Sequence, residues 1–289
     1  MVKVRRTGAY FAGLCALWLI SGGWGAVAAE PVDLALLVAV DVSDSIDARE
    51  ARLQRDGYIA ALNDPAVLAA VRSGGRRQIA LSYVEWAGFG HYEVVVDWRV
   101  IGGAADAQGF AVALARAPVG SRRRTSIGDA ILKSMDQLAK NPHPAARRII
   151  DISGDGPNNY GPLVTIARDQ AVAAGITING LPIRPNPSEI ETHGAILDID
   201  LYYQDCVVGG PGAFVVLANG FDDFAEAVRR KFILEIAGGR PRLHRDLAAV
   251  SGAGAGWENA RIRPAAATER PSCNIGEWLW FDAPVMPRR

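Results

Sequence analysis

The sequence predicts an α/β fold with one doubly wound, mostly parallel sheet, helices on both faces and a single antiparallel edge strand. Three observations lead there. Strand-length apolar runs alternate with segments of helical spacing from residue 32 to residue 238. The first run, residues 34–40, has no polar break, as expected of a strand buried on both faces. Residues 77–85 and 92–101 both read as strands, and the turn at Gly88–Gly90 between them is too short for anything but an antiparallel pair.

The elements follow in order. Residues 46–62 have helical spacing, with Ala51, Leu53, Tyr58, Ile59, Ala61 and Leu62 at the apolar positions. Asp47 and Glu50 fall in the first turn, where the helix dipole favours carboxylates. Asn63-Asp64-Pro65 breaks this helix, and residues 66–71 begin a short second one. In 77–85, Ile79, Leu81 and Tyr83 share a face. Residues 104–117 form an Ala-rich helix, followed by a polar loop, Gly120 to Thr125. Residues 126–138 place Ile127, Ala130, Ile131, Met135 and Leu138 on one helical face. A strand at 148–152 stops at Ser153-Gly154-Asp155-Gly156. A helix at 163–174 has Gly175 as its C-terminal stop. Strands at 176–183 and 214–218 and a helix at 221–236 complete the alternation.

Two stretches interrupt it. Residues 184–212 carry Pro185, Pro187, acidic residues and the Gly209-Gly210-Pro211-Gly212 turn. They are long for a loop, which points to a functional or packed insertion. The tail, 239–289, is rich in Ala, Gly, Pro and Arg and reads as irregular. Its Trp278-Leu279-Trp280-Phe281 run is apolar enough to dock on the domain, and a strand tied to Cys206 is the expected form.

Composition bounds the rest. The 289 residues are 49% hydrophobic with no net formal charge. Residues 1–29 read as an export signal: Lys3, Arg5 and Arg6, a short apolar core, then Ala26-Val27-Ala28-Ala29. The organisation is therefore a leader at 1–29, a domain at 30–238 and a tail at 239–289, in a periplasmic or secreted protein. No later run of 18 apolar residues follows, so stable membrane insertion is not expected once the leader is cleaved. Without its three basic residues the chain has 28 Lys and Arg against 31 Asp and Glu, which gives no reason to expect nucleic acid. Cys206 and Cys273 remain, as a disulfide or as two buried thiols. A disulfide would close a loop worth roughly 4 kcal/mol in chain entropy.

The chemistry gathers at Asp41, Ser43 and Ser45, which end the first strand. Hard oxygens at alternate positions suit Mg²⁺, Mn²⁺ or Ca²⁺ rather than zinc or copper. In a doubly wound sheet the loops at the carboxyl edge converge, so Asp155 comes close to Asp41, and Thr125 can reach the same place. The set is two carboxylates and three hydroxyls. Each has a plainer reading: the serines and Thr125 as helix caps, Asp155 as a turn residue. Asp44 alternates away from the set. Arg122, Arg123 and Arg124 could attract an acidic partner or form a solvated loop.

The pattern DVSDS, then TSIGDAI, then an apolar strand running into DG, resembles the von Willebrand factor type A domain over residues 32–238. Asp41, Ser43, Ser45, Thr125 and Asp155 match its metal-ion-dependent adhesion site. Residues 83–86, 154–159 and 209–214 resemble a family of uncharacterised exported bacterial proteins of that fold. The resemblance implies a six-stranded sheet and a divalent cation at its edge, Mg²⁺ first, with Mn²⁺ or Ca²⁺ as alternatives. It also implies a protein partner whose Asp or Glu completes the coordination. The expected function is a non-catalytic adhesion or assembly module. The alternatives are a metal-dependent phosphohydrolase of the haloacid dehalogenase type and a structural envelope protein with a vestigial site. The hydrolase needs a second carboxylate two residues after its Asp, and Ser43 stands there.

Overall fold

The computed structural model describes residues 29–120, 122–185, 196–238 and 270–281. The predicted export signal, part of the insertion and most of the tail lie outside these residues. The elements are β1 (Val32–Asp41), α1 (Ala48–Asn63), α2 (Pro65–Ser73), β2 (Ile79–Trp86), β3 (Tyr92–Ile101), α3 (Ala104–Arg116), α4 (Ile127–Ala139), β4 (Ala145–Gly154), α5 (Val164–Ala173), β5 (Thr177–Pro182), α6 (Ile199–Tyr202), a π-helical turn (Tyr203–Val207), α7 (Phe224–Ala237) and α8 (Ile275–Phe281).

The sheet order is β3-β2-β1-β4-β5. β1 pairs in parallel with both β2 and β4, and β4 with β5. Only β2 and β3 are antiparallel. The alternation of side chains along β1 feeds two cores. Leu34, Leu36, Val38 and Val40 enter one with residues of α1, α2, α3 and α7. Ala35, Leu37 and Ala39 enter the other with α4, α5 and the π-turn. Burial of each such leucine stabilises by about 1.5–3 kcal/mol, so β1 has a strong reason to sit in the middle. At the head of α1, Asp47 Oδ1 accepts from the Glu50 amide at 2.8 Å, and Glu50 Oε2 accepts from the Asp47 amide at 2.9 Å. This reciprocal cap is worth about 1 kcal/mol and fixes where the loop after β1 ends.

Among the described residues the sheet has five strands where six were expected. Residues 214–218 lie alongside β5 but form only isolated bridges, Gly180 to Val215 and Ile183 to Ala218. Gly180 N donates to Phe214 O, Val216 N to Gly180 O, Ala218 N to Pro182 O and Arg184 N to Ala218 O. The missing rung is the one residue 182 would donate, and proline has no N–H. Pro182 therefore reduces a sixth strand to an interrupted edge.

The tail also differs from expectation. Cys206 and Cys273 are joined in a disulfide, with Cα atoms 5.4 Å apart. The segment beyond Cys273 is the helix α8, not a strand. It docks by its first turn, while Trp278 and Leu279 are exposed. The side chains of Trp280 and Phe281 lie outside the described residues. Where the tail meets the domain, its partner is the loop after β4 rather than a sheet edge, so a helical turn satisfies its own amides.

Candidate metal centre

The order β2-β1-β4 makes β1 and β4 neighbours at the point where connections leave the sheet in opposite directions, so their carboxyl-end loops meet. Asp41 closes β1, and Ser43 and Ser45 follow it. Ser43 N donates to Asp41 Oδ1 at 2.8 Å. The Ser43 and Ser45 hydroxyls are 3.1 Å apart. Ser45 Oγ donates to Asp155 Oδ1 at 2.9 Å. Four of the five sequence-predicted residues are thus one hydrogen-bonded chain. Backbone contacts bring in the segment carrying Thr125. Arg122 N donates to Val42 O at 2.9 Å, and Asn159 N to Thr125 O at 2.9 Å. The Thr125 amide in turn donates to Asn159 Oδ1 at 3.0 Å. Thr125 does not cap α4 with its side chain; Ser126 holds the cap position. Asp44 points elsewhere, towards the Arg124 amide and the Arg123 guanidinium.

The centre is buried: Asp41, Ser43, Thr125 and Asp155 are all at most 5% exposed. Burial, and next the nearby charge of Asp155, push the Asp41 carboxyl well above its ordinary range. Asp41 Oδ2 has no hydrogen-bond partner although no water reaches it. An unpartnered buried carboxylate oxygen costs about 1–3 kcal/mol or more, so such atoms persist where something else satisfies them. Two repelling carboxylates and three hydroxyls, all hard oxygens, fit a small divalent cation that retains water. Among the described residues no three His, Cys, Asp or Glu side chains cluster, so hydroxyls are integral to this donor set.

Some residues around the centre were not foreseen. Gly154 allows Asp41 to approach: a methyl group there would lie 2.8 Å from Asp41 Oδ2 and 2.8 Å from the Tyr203 hydroxyl. Tyr203, from the π-turn, therefore lies on the same side of Gly154 as Asp41. Its hydroxyl is buried without a partner. Desolvation, then the charges of Asp41 and Asp155, raise its pKa strongly. Asn158 and Asn159 support the loop through their contacts. Asn158 takes the Gly128 amide on Oδ1 at 3.0 Å, and its own amide donates to the Tyr202 hydroxyl at 3.1 Å. The two tyrosines do carry a sequence signal: Ile199, Tyr202, Tyr203, Cys206 and Val207 recur at helical spacing, and all five are fully buried in one core.

The rim is cationic and aromatic. Arg122, Arg123, Arg124, His91, Phe89 and Tyr160 line an open groove of about 470 Å³. The Arg124 guanidinium sits 4.9 Å from the Tyr160 ring centre, and Phe89 meets Tyr160 edge-on at 6.4 Å. Arg124 adopts φ of 70°, a strained conformation for a side-chain-bearing residue, directly before Thr125.

Residues 31–240 match the family described as "Protein of unknown function (DUF1194)". No curated protein sequence matches the chain. Proximal thread matrix protein 1 from the mussel byssus superposes with a TM-score of 0.53 at 12% identity, over 72% of this chain and 48% of that one. Another structure of it, with a zinc-occupied MIDAS motif, gives 0.50 at 14% identity, over 72% and 49%. The pilus adhesin SpaC from Lactobacillus rhamnosus GG gives 0.50 at 14%, over 72% and 31%. The chain spans about half the length of the mussel protein chains and less of the adhesin. At these identities the likeness shows the fold alone, the von Willebrand factor A-like one, here with a five-stranded sheet.

Proposed function

The chain belongs to the DUF1194 family of proteins of unknown function, and we propose that it is an exported, non-catalytic binding module whose divalent-cation centre captures a carboxylate of a protein partner. The observation that carries this reading is the buried chain Asp41–Ser43–Ser45–Asp155, which ends in an unpartnered carboxylate oxygen. Asp41, Ser43, Ser45, Thr125 and Asp155 would hold the cation, Mg²⁺ in the first instance. When bound, the cation supplies an open coordination position for an Asp or Glu of the partner.

The protein's own residues do the rest. Three hydroxyls in place of further carboxylates keep the anionic charge low, which favours attraction of one more carboxylate. The Ser43 amide holds Asp41 by one oxygen and leaves the other for the site. Arg122, Arg123 and Arg124 make the approach attractive to acidic surfaces. The reading is non-catalytic because Ser43 stands where a phosphohydrolase of this strand-loop type needs its acid–base carboxylate. The mussel protein's MIDAS motif and SpaC's role as a pilus adhesin are compatible with it, as properties of those proteins.

The test is a calorimetric titration of the mature chain with Mg²⁺ and Mn²⁺. The wild type is expected to bind one ion, and Asp41→Ala to bind at least 100-fold more weakly. Capture of a partner from envelope extract should then disappear with chelator and with Asp41→Ala. Capture that survives both treatments would sink the metal-bridged mechanism.

A further inference from the structure

The disulfide, the π-turn and α8 together form a structure that ends on the candidate centre. Cys206 lies in the π-turn, fully buried, and Cys273 in the described part of the tail, whose first residue, Arg270, also pairs with Asp205 of the π-turn. The π-turn carries Tyr203, whose hydroxyl lies on the same side of Gly154 as Asp41 Oδ2, both atoms buried and unpartnered. Tyr202, one residue before, accepts the Asn158 amide at 3.1 Å. On the other side of the disulfide, Glu277 Oε1 accepts from Asn158 Nδ2 at 2.7 Å. A methyl group at Gly276 would fall 2.1 Å from Asn158 O, so α8 lies directly on the loop. Asn158 and Asn159 follow Asp155 in the same loop, and Asn159 holds the Thr125 amide. Every path from the disulfide therefore reaches a residue of the cation set within a few contacts. Arg168 of α5 separately holds the π-turn through the carbonyls of Asp205 and Cys206, at 2.9 and 3.2 Å, so the fold does not hang on the disulfide alone.

We propose that Tyr203, Asn158 and Glu277 are positioning residues for the cation set, held in place by Cys206–Cys273, so that cation affinity falls when this disulfide is reduced. This rests on the cation reading above. The Tyr203 hydroxyl makes no hydrogen bond to Asp41 Oδ2 here; it lies on the same side of Gly154 and would orient Asp41 by donating to that oxygen. Asn158, gripped by Tyr202 and Glu277, fixes the loop that carries Asp155. Partners that orient ligands in this way are typically worth 10–100-fold in metal affinity. The reduction needs a dithiol: its two thiols give up two electrons and two protons and become a disulfide. The S–S bond breaks, and Cys206 and Cys273 take up the protons as thiols.

The experiment titrates Mn²⁺ into the full mature chain in three states, with circular dichroism as a fold control. These are the oxidised protein, the protein reduced with dithiothreitol then alkylated and desalted, and oxidised Tyr203→Phe. Oxidised wild type should bind, and the other two should bind at least tenfold more weakly with native dichroism. Tyr203→Phe removes one hydroxyl and keeps the ring, so it stands even if the reduced chain unfolds. A further variant, Glu277→Ala, should weaken Mn²⁺ binding in the same direction. Equal affinity of oxidised wild type, Tyr203→Phe and Glu277→Ala overturns the proposal while leaving the cation reading intact. Failure of oxidised wild type to bind any ion overturns both.

Discussion

Asp41 shows how a single residue can work against the fold that holds it. Its folded-state pKa lies above the ordinary 3.8 because it is buried beside Asp155. The resulting penalty is absent below about pH 4 and grows as the pH rises from there towards the folded value. Asp41→Asn should therefore stabilise the cation-free protein at pH 7, by roughly 1–3 kcal/mol, and change little at pH 3.5. Thermal unfolding in chelator at both pH values measures this. Adding Mg²⁺ should reverse the ranking, since a bound ion stabilises the wild type by about 2.7 kcal/mol at 100 times its dissociation constant. Asp41, Ser43 and Ser45 were legible in the sequence because their alternation is local. The meeting of Asp155 with the first-strand loop was legible because strand order brings the two loops to one edge; Thr125 is tied in by its backbone, to Asn159. The nearness of Tyr203 to Asp41 was not: it depends on a close approach of both to Gly154, and no local pattern encodes such an approach.

At the scale of elements, α7 is fastened to the sheet by charge as well as by apolar contact. Lys231 Nζ lies 2.5 Å from Asp151 Oδ1 of β4 and 2.7 Å from Glu235 Oε1, all three residues essentially unexposed. Asn179 of β5 donates to Glu235 at 2.9 Å, and its own oxygen takes the Phe214 amide. One lysine serves two carboxylates. Burial, then the charge of Asp151, push Glu235 up to about 7. A carboxyl raised from its ordinary 4.5 favours folding least when ionised, so stability should decline as pH rises from about 4.5 through 7. Glu235→Gln should flatten that decline in denaturant titrations across the window. Lys231→Met should cost about 3–5 kcal/mol, because it strands both carboxylates in the interior. The alternation of apolar runs made β1 to β5 and α1 to α5 readable. It could not reveal this polar cluster, which has no period. It also overcounted the strands, since 214–218 has strand composition and the obstacle lies in its neighbour, Pro182.

For the whole molecule, the disulfide matters beyond the candidate centre. It links positions 67 apart in sequence, and chain entropy assigns such a loop roughly 4 kcal/mol. Reduction should lower the unfolding midpoint in urea without changing the far-ultraviolet dichroism at low denaturant. A midpoint unmoved by reduction would mean that the tail is bound equally well without it. The pairing could be expected from two cysteines in a chain that reads as exported, but the helical form of α8 could not, because seven residues carry too little pattern to separate helix from strand.

Pro182 has one more consequence, and it concerns how copies of the protein behave towards each other. An open sheet edge offers unpaired amides and carbonyls on which a second chain can build, the first step of aggregation. Here the outermost segment, 214–218, is tethered by a ladder with its middle rung missing, and that gap keeps it from lying as a long, flat strand. Restoring the amide with Pro182→Ala would complete the ladder and straighten the edge. The same change that perfects the sheet should make the purified protein more prone to precipitate on refolding.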